Sequence, residues 1–169
     1  MTTRILVAGI GNVFLGDDGF GPEVVRRAAS PLERRHFDGA TVEVVDYGIR
    51  GMHLAYDLLE DWDALVLVDA VPDRGLPGNL HVFQADHETL SPTAGLEAHS
   101  MDPAAVFATL AALGGTAPTT IVIGCEVGCV EEGMGLSDPV TAAVPRAVAA
   151  IDDVLTELTA RATAPVREG

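Results

Sequence analysis

Residues Ala64–Ala70 read ALVLVDA. Five apolar residues stand in unbroken succession, with none of the alternation of a strand that is wet on one side. Such a run is a strand covered on both faces, which places it in a mainly parallel sheet with helices above and below. The segments around it alternate accordingly. Towards the N-terminus, Arg4–Ile10 is a short apolar strand, and Pro22–Arg35 has helical spacing with Val24, Val25 and Ala28 on one face. Gly21-Pro22 marks that helix's start, and Pro31 is expected to distort it or split off its last turn. Thr41–Asp46 alternates as a strand, and Met52–Trp62 is spaced as a helix.

Towards the C-terminus, Pro72–Asn79 (PDRGLPGN) is a turn and Leu80–Ala85 a strand. Asp86–Met101 is polar and irregular. Asp102–Leu113 is a helix with Asp102 as N-cap and Pro103 in first position. Thr119–Gly124 is a strand, Glu126–Gly135 an acidic loop, and Ser137–Arg161 a long helix with a kink expected near Pro145. The expectation is an α/β three-layer sandwich with a mostly parallel sheet of about five strands and helices on both faces. One domain over residues 1–160 and a fraying tail over 161–169 account for the whole chain.

Composition narrows the function. The 169 residues are 48% hydrophobic and carry a net charge of −15. All ten basic residues are Arg, so chemistry that needs a lysine is excluded, from a phosphate-loop lysine to a Schiff base. So acidic a surface repels nucleic acid and anionic lipid. No apolar run reaches membrane-span length and no leader pattern opens the chain, so a cytoplasmic protein without membrane insertion is expected. The two cysteines, Cys125 and Cys129, are too few for a disulfide framework and fit neither a redox C-x-x-C nor a zinc knuckle.

In such sheets, ligands sit beyond the carboxyl ends of the strands. The first strand leads into GIGNVFLGDDGFG, Gly9–Gly21, with five glycines and two adjacent acids. A dinucleotide loop needs G-x-G-x-x-G, but the third position is Phe14, and Asp17 and Asp18 would repel a pyrophosphate. Asp46 closes the second strand as a ribose-binding acid would, so a nucleotide-binding α/β domain stays as an alternative. A cation suits the loop better. Asp18 is the candidate ligand, and Asp17 shapes the loop or stands behind a ligand. Asp69 ends the apolar strand, where a carboxylate is costly to desolvate unless paired or bound to metal; a turn-forming role is equally open. His99, in EAHSMD, precedes a helix and could join Asp18 and Asp69 on the carboxyl side of the sheet. His36, His53 and His81 read as surface or packing residues. His87 begins HETLS, which lacks the second histidine of a zinc-protease motif, and no serine lies in G-x-S-x-G.

Four segments, GIGNVFLGDDGFGPEVV, VLVDAV, AHSMDP and GCEVGCVEEGMGLS, together resemble the nickel–iron hydrogenase maturation endopeptidases, with likeness from Arg4 to about Leu158. The resemblance implies a peptidase that removes the C-terminal extension of the hydrogenase large-subunit precursor once nickel has been inserted. It implies that Asp18, Asp69 and His99 are the catalytic and metal-binding residues, acting on a nickel ion carried by that precursor. Asp46, Gly48 and Gly51, in the DYGIRG segment Asp46–Gly51, are implied to shape the substrate cleft. That segment carries Tyr47, Ile49 and Arg50, bulkier than the family pattern, and Val127 stands where the family often has proline. A non-catalytic nickel-binding assembly factor would use the same metal site.

Overall fold

The computed structural model describes residues 2–85 and 103–163. Among them the chain forms β1 (Thr3–Ile10), a 3₁₀ turn (Gly16–Gly19), α1 (Phe20–Arg34), β2 (Ala40–Gly48), α2 (Gly51–Asp57), β3 (Ala64–Val71), β4 (Leu80–Ala85), α3 (Pro103–Ala112), β5 (Thr119–Glu126) and α4 (Asp138–Thr163). The five strands form one sheet in the order β2-β1-β3-β5-β4. The first four run parallel, and β4 pairs antiparallel with β5 at the edge. The three-layer α/β architecture with a mostly parallel sheet is therefore as expected.

ALVLVDA forms β3 at the centre, and its alternation divides the interior. Val66 and Val68 face one core with Ile5, Val7, Phe20, Val25, Val144 and Ile151, which is closed by α1 and α4. Leu65 and Leu67 face the other with Leu6, Ala8, Leu54, Phe107 and Leu110, closed by α2 and α3. Residues 64 to 68 are at most 4% exposed. With apolar burial at roughly 25 cal/mol per Å², each Leu and Val among them contributes about 1.5–3 kcal/mol.

Several elements differ from expectation for local reasons. Helix α2 stops at Asp57 instead of reaching Trp62. The Trp62 indole N–H donates to the Asp57 carbonyl at 2.9 Å and closes the helix end. Helix α1 runs through Pro31 to Arg34, and α4 runs through Pro145. Both prolines are exposed, as are Arg27 and Thr141 four residues earlier, so each proline sits on the solvent face of its helix, where the lost bond costs less. Helix α4 ends at Thr163, two residues past the expected Arg161. Glu126, expected to open a loop, instead closes β5. His87, His99 and the Asp102 cap lie outside the described residues.

Connections place the chemistry. From β1 the chain passes through α1 to β2 on one side, then through α2 to β3 on the other. The carboxyl ends of β1 and β3 therefore flank the point where the winding reverses, which is where ligands bind in open α/β sheets.

Candidate active site

Three acidic segments gather at this edge. In the sheet register Gly9 of β1 lies between Asp46 of β2 and Val68 of β3, and Asp69 follows at once. Asp69 is 7% exposed and pairs in register with Gly124 of β5. Asp18 sits on the 3₁₀ turn that follows β1, and its Oδ2 accepts the Asn12 backbone N–H at 2.8 Å. Among the described residues its second oxygen has no hydrogen-bond partner.

Glycine is required where this loop doubles back. Gly11 has φ +144, and a Cβ there would lie 1.9 Å from the Asp18 carbonyl oxygen. At Gly21 a Cβ would lie 2.4 Å from the carbonyl oxygens of both Ile10 and Val68. Its hydrogen lets the first turn of α1 settle onto the ends of β1 and β3.

Asp17 turns inward and is fully buried. Its Oδ2 accepts the backbone N–H groups of Gly128 at 2.7 Å and Cys129 at 2.8 Å and the Ser137 hydroxyl at 2.7 Å, while its Oδ1 accepts the Ser137 N–H at 2.7 Å. Burial alone would raise its pKa. The bonds from Ser137, Cys129 and Gly128 outweigh burial and hold it below 3.8. Asp17 thus shapes the loop, as one of its two expected roles required.

The Asp46 turn abuts the same loop. Asp46 Oδ1 accepts the Gly48 N–H at 2.9 Å, and the Gly48 carbonyl accepts the Gly11 N–H at 3.0 Å. Arg50 Nη2 donates to the Asp46 carbonyl at 2.9 Å. The Tyr47 ring is buried and its hydroxyl donates to Asp57 at 2.6 Å. Gly51 opens α2 and is buried, while Ile49 and Met52 are exposed.

Glu126 escaped the sequence analysis as an organising residue. Its carboxylate is buried and takes hydrogen bonds from the N–H groups of Arg74 (2.6 Å) and Leu76 (3.3 Å), from Asn79 Nδ2 (3.3 Å) and from His81 Nε2 (2.9 Å). The His81 bond is the main reason its pKa falls to about 2, with Arg74, Asn79 and Leu76 adding to it against the effect of burial. The signal was available: Glu126 follows an apolar run, as Asp69 follows ALVLV. Cys125 is fully buried, and burial first and the Asp17 carboxylate second push its thiol up to about 11, away from the thiolate form.

The sequence matches the family model described as hydrogenase maturation protease over residues 26–154. The chain belongs to the hydrogenase maturation protease family. It is 35% identical to the coenzyme F420 hydrogenase subunit delta of Methanothermobacter thermautotrophicus, over 89% of this chain and 93% of that one. It is 29% identical to the hydrogenase 2 maturation protease of Escherichia coli, over 86% of each. In structure it resembles the hydrogenase-maturating endopeptidase HybD of E. coli, with a TM-score of 0.72 at 26% identity, covering 92% of this chain and 93% of that one.

As a maturation protease it is a hydrolase of peptide bonds, and the expected residues can be placed in that light. Asp18, Asp69 and Asp46 lie on the carboxyl side of neighbouring strands, with Gly48 and Gly51 beside them. His99 lies outside the described residues. Among the described residues no group of three His, Cys, Asp or Glu side chains is arranged to hold a metal, so any such site needs a donor from elsewhere. No described helix is long and apolar enough to cross a membrane.

Proposed function

We propose that this protease removes the C-terminal extension of the large-subunit precursor of a nickel–iron hydrogenase, in the cytoplasm, and that it recognises nickel carried by that precursor. The observation carrying the proposal is the placement of Asp18 and Asp69 at the carboxyl ends of β1 and β3, where the winding reverses. One is a half-buried carboxylate tied through a single oxygen, and the other lies two residues before the end of β3, after five residues that are all buried.

The donor chemistry fits. Two carboxylates and an imidazole suit a divalent transition metal, and they leave coordination positions for the precursor's own ligands. In this scheme Asp18, Asp69 and His99 complete the shell of the nickel. Binding then distinguishes a loaded precursor from an empty one by ligation. Hydrolysis follows by polarisation of the scissile carbonyl or activation of a bound water. The Asp46–Gly51 turn, held by Tyr47 and Arg50, forms the neighbouring wall of the peptide cleft. Its exposed Ile49 and Met52 give the precursor an apolar contact.

The deciding experiment incubates purified precursor, with and without nickel, with the wild-type protein and with Asp18→Asn, and reads precursor mass. Loss of the extension only from loaded precursor, and only with wild type, is expected. Full processing by Asp18→Asn overturns the proposal. Because the M. thermautotrophicus relative is named as a hydrogenase subunit, a non-catalytic assembly role is the second reading. Association with loaded precursor and no change in its mass would select it.

A further inference from the structure

The 3₁₀ turn that carries Asp18 has little support of its own. It is four residues long and has no side-chain cap. Support comes from the loop between β5 and α4. Asp17 N–H donates to the Cys129 carbonyl at 2.8 Å, Gly16 N–H to the Gly133 carbonyl at 2.9 Å, and Gly133 N–H to the Phe14 carbonyl at 2.8 Å. A Cβ at Gly16 would come within 2.6 Å of the Cys129 carbonyl oxygen, so the two segments are in backbone contact. The Asp17 carboxylate adds the four bonds described above, two of them from Ser137.

Asp17 and Asp18 are thus gripped from different sides. The loop holds Asp17, and the Asn12 N–H holds Asp18. Asp17 and Asp18 share one peptide unit within a four-residue turn, so a shift of the Asp17 backbone carries the Asp18 Cα with it.

We infer that Ser137, with the Gly128–Ser137 loop, is a positioning element that sets the direction of the Asp18 carboxylate through Asp17. This rests on the proposed role of Asp18, and it gives the EEGMGLS segment a purpose that the cleavage chemistry leaves unassigned. Ser137 itself is not a catalytic residue, since its hydroxyl is spent on Asp17.

The test is Ser137→Ala, with Ser137→Thr as the conservative variant that keeps the hydroxyl. Ser137→Ala retains the backbone bond to Asp17 Oδ1, so the protein stays folded. Two readouts are taken: amide hydrogen exchange at Asn12, whose N–H reports Asp18 placement without any activity, and kcat and KM on nickel-loaded precursor. In Ser137→Ala, Asn12 should exchange about tenfold faster while Val66 and Leu67 are unchanged. Its kcat should fall about tenfold with KM within about twofold, as for a misaimed group that acts in the transition state. Ser137→Thr should restore both. Unchanged Asn12 exchange overturns the inference whatever kcat does, and so does an equal acceleration at Val66 and Leu67, which marks a general loss of stability. If the wild type fails to cleave loaded precursor, the proposed function falls, while Asn12 exchange still judges the positioning by itself.

Discussion

Replacing Asp17 with Ala removes an acceptor that serves three backbone N–H groups and one hydroxyl in a fully buried position. Each buried donor left without a partner costs about 1–3 kcal/mol. The three N–H groups alone would cost roughly 3–9 kcal/mol if nothing moved. Water entering the space left by the carboxylate recovers part of this, so a net loss of about 4 kcal/mol is expected. That is a large share of the 5–15 kcal/mol typical of a domain. With an m-value of about 2 kcal/mol/M, the urea midpoint at pH 7 should fall by about 2 M.

The pH dependence has a definite sign. The folded-state pKa of Asp17 lies below its ordinary 3.8. Its contribution is therefore complete above that value and is lost as pH falls through the lower folded one. The gap in stability between wild type and Asp17→Ala should be full at pH 7 and shrink on acidification below 3.8. Coincident urea midpoints at pH 7, or a gap that widens in acid, would refute the reasoning.

Other perturbations have equally specific outcomes. Gly11→Ala forces a Cβ against the Asp18 carbonyl at a φ that side chains avoid, so it should cost about 2–4 kcal/mol and abolish processing, checked by thermal unfolding and the precursor mass assay. Asp18→Asn should abolish processing while changing stability by less than about 1 kcal/mol, because its carboxylate accepts a single described hydrogen bond. Glu126→Gln places an amide among donors and should free the Pro72–Asn79 turn, with faster tryptic cleavage after Arg74 as the readout. In the wild type the same loosening should set in as pH falls from 4.5 towards about 2, because a depressed carboxyl pKa stabilises above that window and not below it.

Much of this molecule could be read from local pattern. The unbroken apolar run at 64–68 fixed β3 as the two-faced centre of a parallel sheet, and the glycines and acids of 9–21 marked the loop that follows β1. What escaped depends on partners distant in the chain. Nothing near Asp17 announces that it will be buried against residues 111 to 120 positions away. The apolar run before Glu126 hints that its carboxylate needs partners, but not that they come from a turn about 50 residues earlier. The end of α2 was misplaced because helical spacing continues through Leu58 and Leu59, whereas the Trp62 indole decides where the helix stops. His81 looked like a surface residue and is only partly one, since its ring is committed to Glu126.

The knot between Asp17 and the Gly128–Ser137 loop also constrains how the protein is made. A nascent chain emerges N-terminus first, yet the first loop obtains its anchors only when residues 128–137 have left the ribosome. Until then a bare carboxylate waits beside a sheet that α4 does not yet cover. This end of the sheet is therefore among the last parts to mature during synthesis, and truncations before Ser137 should yield chains whose first loop lacks its anchors.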